Sequence, residues 1–443
     1  MNAFDRDALI RAALTPPRET TPPADLAAAI HDRLVATPQR SDTWWARLWP
    51  SRPGNGDRPR LVASPGTWLV ATLLLLAALL AIAVASQPSA TPRDVLTYHG
   101  NAAQTGVMPG PGPAGAPRIG WTMDLHGPMT AFTMPILRGD DIIAVDARGT
   151  VSVVDVATGV LRWERPMPGR VSGTPAIADD LVVVAAEDGT VVGSAIDSGE
   201  ESWRNELGVS TRASLAMADG LVLVGGDDGQ IRMLDPADGG AVRSVDVRGP
   251  VVRSPAVVDG VAYAVADGGW VTAFDVATGA VRWQLDLGPG EIASPAVADG
   301  TMYVTHGVLG GSEPYALVAL DVTDGKERWR WEPPTADRLF VGAVGDGVVF
   351  ATSEDHGVYR IDAASGLGQR LFTAGGMVGS LPTLVGATLY IVSADGAVQA
   401  VDQTTGAVHW RMGADGAPTA PVVSGGRVIV ATDRGVLMAI VGS

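Results

Sequence analysis

Residues 273–283 read AFDVATGAVRW, and this stretch limits the possible folds more than any other. It recurs as AVDQTTGAVHW at residues 400–410 and as VVDVATGVLRW at residues 153–163. Looser copies are ALDVTDGKERW (319–329), AIDSGEESW (195–203), MLDPADGGAVR (233–243) and RIDAASGLGQR (360–370). Taking Asp155, Asp197, Asp235, Asp275, Asp321, Asp362 and Asp402 as the leading aspartates gives spacings of 42, 38, 40, 46, 41 and 40 residues. A period near 40 built from short apolar runs is the signature of a propeller or a solenoid array.

Each unit reads as four strands. The first begins at a small-residue–Pro step such as Ser254-Pro255, Ser294-Pro295 or Thr174-Pro175. Asp-Gly pairs (Asp219-Gly220, Asp259-Gly260, Asp299-Gly300) mark the first turn, and Asp188-Gly189, Asp228-Gly229 and Asp395-Gly396 the second. Asp-Gly supplies the positive φ angles of two-residue hairpins. The Asp-x-x-Thr-Gly box then turns the chain into a fourth strand bearing Trp. First-strand signals occur eight times, but complete boxes only seven, because the chain ends at Ser443 without a last fourth strand. The missing strand is available earlier, in RIGWTMDL at residues 118–125, with Trp121 at the repeat's Trp position. The expected fold is all-β: an eight-bladed propeller of four-stranded antiparallel blades, its last blade sealed by the strand around Trp121. Such closure removes the open edge between first and last blades.

Cysteine is absent, which excludes disulfides, thiolate catalysis and cysteine-based zinc sites. The formal charge of −16 is uneven. Residues 1–66 hold nine arginines and seven acidic residues, while the rest holds 23 basic and 41 acidic residues. That balance argues against nucleic acid, whose phosphates need clustered Lys and Arg. Most of the aspartates fall in turns, where the side chain bonds its own backbone.

Residues 1–66 read as a cytoplasmic segment, partly helical with Pro-rich linkers. Leu26, Ile30 and Leu34 recur at the spacing of one helix face, and Trp44, Trp45 and Trp49 suit a membrane interface. Residues 67–86, TWLVATLLLLAALLAIAVAS, carry no charge and would span about 30 Å as a helix, one bilayer core. Arg47, Arg52, Arg58 and Arg60 precede this run and only Arg93 follows closely, placing the N-terminus inside and the repeats outside. A secretory signal cut after residues 83–85 is the competing reading; the long apolar run and the 66 residues before it favour a retained anchor. The expected organisation is then a transmembrane helix at 67–86, a tether at 87–97 and an extracytoplasmic propeller at 98–443, in a bacterial cytoplasmic membrane.

The Ala-x-Asp-x-x-Thr-Gly-x-x-x-Trp box resembles the tryptophan-docking motif of PQQ-type, quinoprotein-like β-propellers, and HGNAAQTGV at residues 99–107 is similar to that family's lead-in segment. The resemblance implies that Asp and Thr fix the turn and that Trp121, Trp163, Trp203, Trp283, Trp329 and Trp410 dock one blade on the next. An indole fills a wedge between sheets while its one donor reaches a carbonyl. Where Arg243 and Arg370 replace Trp, poorer packing is expected. The family's alcohol dehydrogenases hold their quinone against a vicinal disulfide and chelate calcium with carboxylates and an amide. No cysteine and no such cluster outside turns is found here, so neither PQQ nor calcium is expected.

No other catalytic constellation stands out. The six histidines are scattered, and the Gly-rich stretches lack the features of a phosphate loop. The 46-residue spacing places a longer loop at the second turn of the fifth blade, where His306, Glu313 and Tyr315 are candidates for contact with a partner. Three functions follow. One is a non-enzymatic, membrane-anchored scaffold that binds a protein partner on the propeller and the bilayer through residues 67–86. The second is a transmembrane regulator whose residues 1–40 bind a cytoplasmic protein; that segment resembles the inner regions of membrane-bound anti-sigma factors, without their His-Cys-Cys site. The third is a PQQ-dependent dehydrogenase.

Overall fold

Runs of three to seven Val-, Ile- and Ala-rich residues, separated by turns that demand positive φ, pair locally into antiparallel sheets. In the computed structural model, which describes residues 94–130, 133–308, 314–335, 337–378 and 380–443, eight such sheets form the blades of a propeller. Blades 1 to 7 cover residues 136–166, 176–206, 216–246, 256–286, 291–331, 339–373 and 383–413. Blade 8 combines 422–442 with the strand Pro117–Asp124. Blade 5 carries a short fifth strand, Glu291–Ile292, beside Thr301–Gly307. Residues 1–66 and the expected span at 67–86 lie outside the described residues. Among the described residues, no helix is long and apolar enough to cross a membrane.

Burial grades along each blade. First strands such as Ala176–Ala178 and Val422–Ser424 are buried at every residue, whereas fourth strands such as Leu161–Pro166 expose most residues and bury the Trp. The apolar core lies between blades: Val145, Val153 and Trp163 of blade 1 pack with Ile177, Val184 and Ile196 of blade 2. At the first turns Asp219-Gly220, Asp259-Gly260 and Asp299-Gly300 both residues have positive φ, as a type I′ turn requires. The second turns differ from the expected two-residue form. Asp188 is not left-handed, Gly189 is (φ 90°), and Ala186 closes the turn by donating its N–H to the Thr190 carbonyl. Asp188 Oδ1 caps that turn by accepting the Thr190 N–H at 2.9 Å.

The ring closes where strand counting requires it. Trp121 pairs with Ala439 in an antiparallel ladder running from Pro117↔Gly442 to Asp124↔Val436. Ser443 donates its N–H to the Ala116 carbonyl at 3.0 Å, just as Asp155 donates to Val160 inside the box of blade 1. Blade 8 is thus a box cut open, with the chain end on one side of the cut and Ala116 on the other.

One correction concerns blade 2. Asp197 is not its box residue. Ala195 donates to the Glu200 carbonyl and accepts from the Gly199 N–H, the two bonds that Asp155 makes with Val160 and Gly159. Aligning on Gly199 and Trp203 therefore puts Ala195 at the leading position and restores spacings of 40 and 40 residues around it. The repeat keeps the Gly and Trp that contact another blade, and in blade 2 it has lost the aspartate that serves only its own turn.

The lead-in segment is a strap across the whole ring. Val95 bridges to Leu137 of blade 1, Leu96 accepts from Ile177 of blade 2, and the Thr97 hydroxyl donates to Leu215 of blade 3. Ala102 and Ala103 accept from Val257 and Val297 of blades 4 and 5, Thr105 from Val344 of blade 6, and Gly106 from Leu384 of blade 7. Gly110 donates to Val423 of blade 8. Residues 94–97, read from sequence as part of the tether, are already bonded to blades 1 to 3.

Candidate functional site

The box and its Trp form one device that spans two blades. Asp155 Oδ1 accepts the Thr158 N–H at 2.9 Å and the Thr158 hydroxyl at 2.7 Å, holding the turn so that Gly159 can take φ 73°. The indole of Trp121, from the preceding blade, lies on that glycine; a Cβ there would come within 2.5 Å of the ring. Its Nε1–H donates to the Val156 carbonyl at 3.1 Å. Trp163 repeats this on Gly199 with a bond to Ile196 (2.6 Å), and Trp203 on Gly239 with a bond to Pro236 (2.6 Å). Trp283 donates to Val322 and Trp329 to Ala363, both at 2.9 Å. The box glycine therefore has two reasons to lack a side chain: its backbone angle and the indole seated on it. Trp410 packs into the core shared by blades 7, 8 and 1, 6.0 Å from the Tyr390 ring.

Both arginine substitutions are accommodated, in different ways. Arg243 Nη1 donates to the Val276 carbonyl at 2.7 Å, the acceptor an indole would use, and also to Ala277. Arg370 turns back into its own blade, pairing with Asp355 and donating to the Tyr359 hydroxyl at 2.6 Å. The partner box of blade 7 is then covered by Leu371 at Gly406. Sequence expected looser docking at both positions; at Arg243 the inter-blade bond persists because a guanidinium donates where an indole would.

The blade-to-blade connections and second turns form one face of the ring, called the upper face here. The boxes and first turns form the lower face. On the axis, Tyr98 of the strap borders a small pit whose other walls are Thr133, Arg253, Ser294, Phe340 and Ser380. Burial pushes the Tyr98 phenol up to about 12, with Arg253 and a bond from Ser294 opposing the shift. The pit's lining offers one cation and hydroxyls but no carboxylate or amide, and the chain has no cysteine. Among the described residues no three His, Asp or Glu side chains gather as a metal site. These residues do not fit a calcium-chelated quinone.

Beside the pit, at the roots of the loop in blade 5, stands a polar group. Tyr315 donates its hydroxyl to Glu291 Oε2 at 2.8 Å, and Arg338 Nη2 meets Glu291 Oε1 at 2.8 Å. Partial burial pushes the Glu291 carboxyl up, but these two donors outweigh it and hold the carboxyl low. His306 Nε2 lies 3.0 Å from the Gly288 carbonyl. His306 and Tyr315 are buried (8% and 3% exposed), engaged within blade 5 rather than displayed on its loop. Glu313 lies outside the described residues. Sequence reasoning did not find Glu291, Arg338 or Arg253, because nothing in the spacing of three isolated charges shows that blades 4, 5 and 6 bring them to one place.

The family described as outer membrane protein assembly factor BamB matches residues 116–240, 191–338, 267–369 and 368–442. No curated protein matches the chain. Among solved structures, BamB from Moraxella catarrhalis is 21% identical and superposes with a TM-score of 0.60, over 73% of this chain and 99% of that one. The computationally designed Ika8 protein is 22% identical (TM-score 0.60, 71% and 98%). The quinohemoprotein alcohol dehydrogenase of Comamonas testosteroni is 12% identical (TM-score 0.63, 80% and 81%). At these identities the likenesses concern the fold, which enzymes and non-enzymes share. The repeated box, the eight-bladed ring and a family match running from residue 116 to residue 442 together mean that the chain belongs to the outer membrane protein assembly factor BamB family of PQQ-type propellers.

Proposed function

We propose that this chain is a non-enzymatic, membrane-anchored scaffold. Residues 67–86 hold it in the bilayer, and the propeller binds a protein partner outside the cytoplasm. The observation that carries this reading is the course of the strap. Residues 94–110 bond to all eight blades, so the chain itself lines the inner strands around the whole ring. The remaining pit presents Arg253, hydroxyls and apolar walls, a lining that lacks the ligands of a calcium-bound quinone. The family resemblance to BamB supports protein contacts as the mode of action.

The test has two arms. A photo-activatable cross-linker placed at Phe340 or Met377 on the upper face, in cells, is expected to yield a discrete adduct with one protein that the same group at Thr122 on an outer strand does not. Purified full-length chain with PQQ and calcium is expected to reduce no dye with alcohols or aldoses. Dye reduction would end the non-enzymatic reading, and absence of a site-specific adduct would end the scaffold reading.

A further inference from the structure

We infer that the lower rim of blades 8 and 1 rests on the lipid surface. The described chain begins at Asp94, whose Oδ1 accepts the Gly139 N–H at 2.7 Å in the first turn of blade 1. The neighbouring Asp140 carbonyl accepts from Val156 in that blade's box. The described chain therefore begins on the lower face of the propeller, beside this box. Three apolar side chains are exposed on that box and on the closing strand docked to it: Val160 at 62% exposure, Ile119 at 45% and Leu161 at 38%. Ile119 belongs to the closing strand, two residues from Trp121, whose ring sits on Gly159 next to Val160.

The clustering is local. Blades 3, 4, 6 and 7 each expose one apolar residue near the start of the fourth strand: Val242, Val281, Leu367 and Val408. Blade 2 presents Glu200 and Glu201 there, and blade 5 Lys326 and Glu327. Among the described residues, blade 1 exposes two there, Val160 and Leu161, and the closing strand docked on its box adds Ile119. Between the end of the expected span at Ser86 and Asp94 lie residues 87–93, which reach at most about 25 Å when extended. A tether this short holds the rim near the bilayer at high effective concentration, so weak insertion of a few side chains suffices. Carboxylates on the rim are partly neutralised: Arg162 pairs with Asp141 at 2.8 Å and Asp155 at 2.9 Å. The surface thus suits a zwitterionic headgroup layer.

This inference rests on the anchored reading above, and the experiment separates the two. Because the chain has no cysteine, V160C carries a single environment-sensitive fluorophore, and M377C on the upper face serves as control. Full-length protein is reconstituted in phosphatidylcholine vesicles with or without nitroxide-bearing lipid. The expected result is blue-shifted emission at 160 that nitroxide lipid quenches, with water-like, unquenched emission at 377. Failure of the protein to float with carbonate-washed vesicles overturns anchoring, and docking with it. Flotation with water-like emission at 160 overturns docking alone. A blue shift that grows with protein concentration and ignores nitroxide lipid means a second copy covers the rim, and also overturns it.

Discussion

Trp163 donates its indole N–H to the Ile196 carbonyl at 2.6 Å, crossing from blade 1 to a box in blade 2 whose leading position holds Ala195 in place of aspartate. The docking bond thus survives where the turn's own cap has gone, which makes the Trp the inter-blade half of the motif. Trp163 is buried with Val145, Val153, Ile177 and Val184 around it. Trp163→Ala is expected to cost about 3–5 kcal/mol, as for large buried aromatics. Trp163→Phe keeps most of the ring but leaves a buried carbonyl unpaired, at about 1–3 kcal/mol. Urea-unfolding midpoints should rank wild type above W163F above W163A, and equal midpoints would refute the docking role.

At the one position where arginine takes the indole's place in the bond, truncation tests the guanidinium. Arg243→Ala removes the donor to Val276 and lifts the side-chain stem off Gly279, and should cost about 1–2 kcal/mol. Arg243→Trp restores both bond and stacking and should leave the midpoint at or above wild type. A loss from R243W matching that from R243A would mean this inter-blade wedge cannot hold an indole.

The eight blades and the closing role of Trp121 were legible because the box is local: eleven consecutive residues carry the turn, the glycine and the indole. The register of blade 2 was misread because Asp197 happens to sit two residues from the box position, and a capping aspartate is easier to notice than the Gly–Trp distance. The strap was visible as HGNAAQTGV, but its bonds join residues up to about three hundred positions apart, and no local pattern encodes those. The Glu291–Tyr315–Arg338 group was hidden for the same reason. A long loop drew attention to His306 and Tyr315, and burial turned both inward.

Acid should unfold the propeller through its boxes. Hydrogen bonds from the hydroxyls of Thr158, Thr278, Thr323 and Ser365 hold Asp155, Asp275, Asp321 and Asp362 below the usual carboxylate range, and the Thr405 amide does so for Asp402. A folded pKa below the unfolded one gives stability that is fully present above about pH 4 and is lost as pH falls through the folded values. The urea midpoint is expected to drop steeply below about pH 4. Asp275→Asn should shallow that drop while lowering the midpoint at pH 7, since Arg282 loses its partner at 3.2 Å. An unchanged acid limb in D275N would exclude the box as its source.

A second window lies higher. Burial lowers His99 to about 4, against a weaker opposing bond to the Gln104 carbonyl. A buried neutral histidine must take up a proton on unfolding, so its contribution is present above about pH 6.5 and fades between pH 6.5 and 4. The shift corresponds to a loss on the order of 3 kcal/mol across that window. His99→Asn retains a donor for Gln104 without titrating. Stability of H99N should be flat between pH 6.5 and 4.5, where wild type declines; parallel curves would place the titrating group elsewhere.

The strap offers the most direct test of how the ring is held. Its carbonyls and amides complete the inner strands of successive blades: Ile177, Val257, Val297 and Leu384 all donate to it. Those first strands are three residues long and gain few bonds from their own blades. Removing residues 94–110 would leave these four buried N–H groups unpaired at about 1–3 kcal/mol each, a large share of a typical margin of about 5–15 kcal/mol. Gln104→Ala removes only the side-chain bond to Pro255 at 2.7 Å and should cost about 1–2 kcal/mol while leaving the strap seated. Amide hydrogen exchange reads both outcomes. In the deletion, protection at 177, 257, 297 and 384 should vanish together if the protein still folds, or the protein should fail to accumulate. In Q104A, protection should fall modestly around blade 4. Full protection of those amides without the strap would show that the blades hold one another unaided.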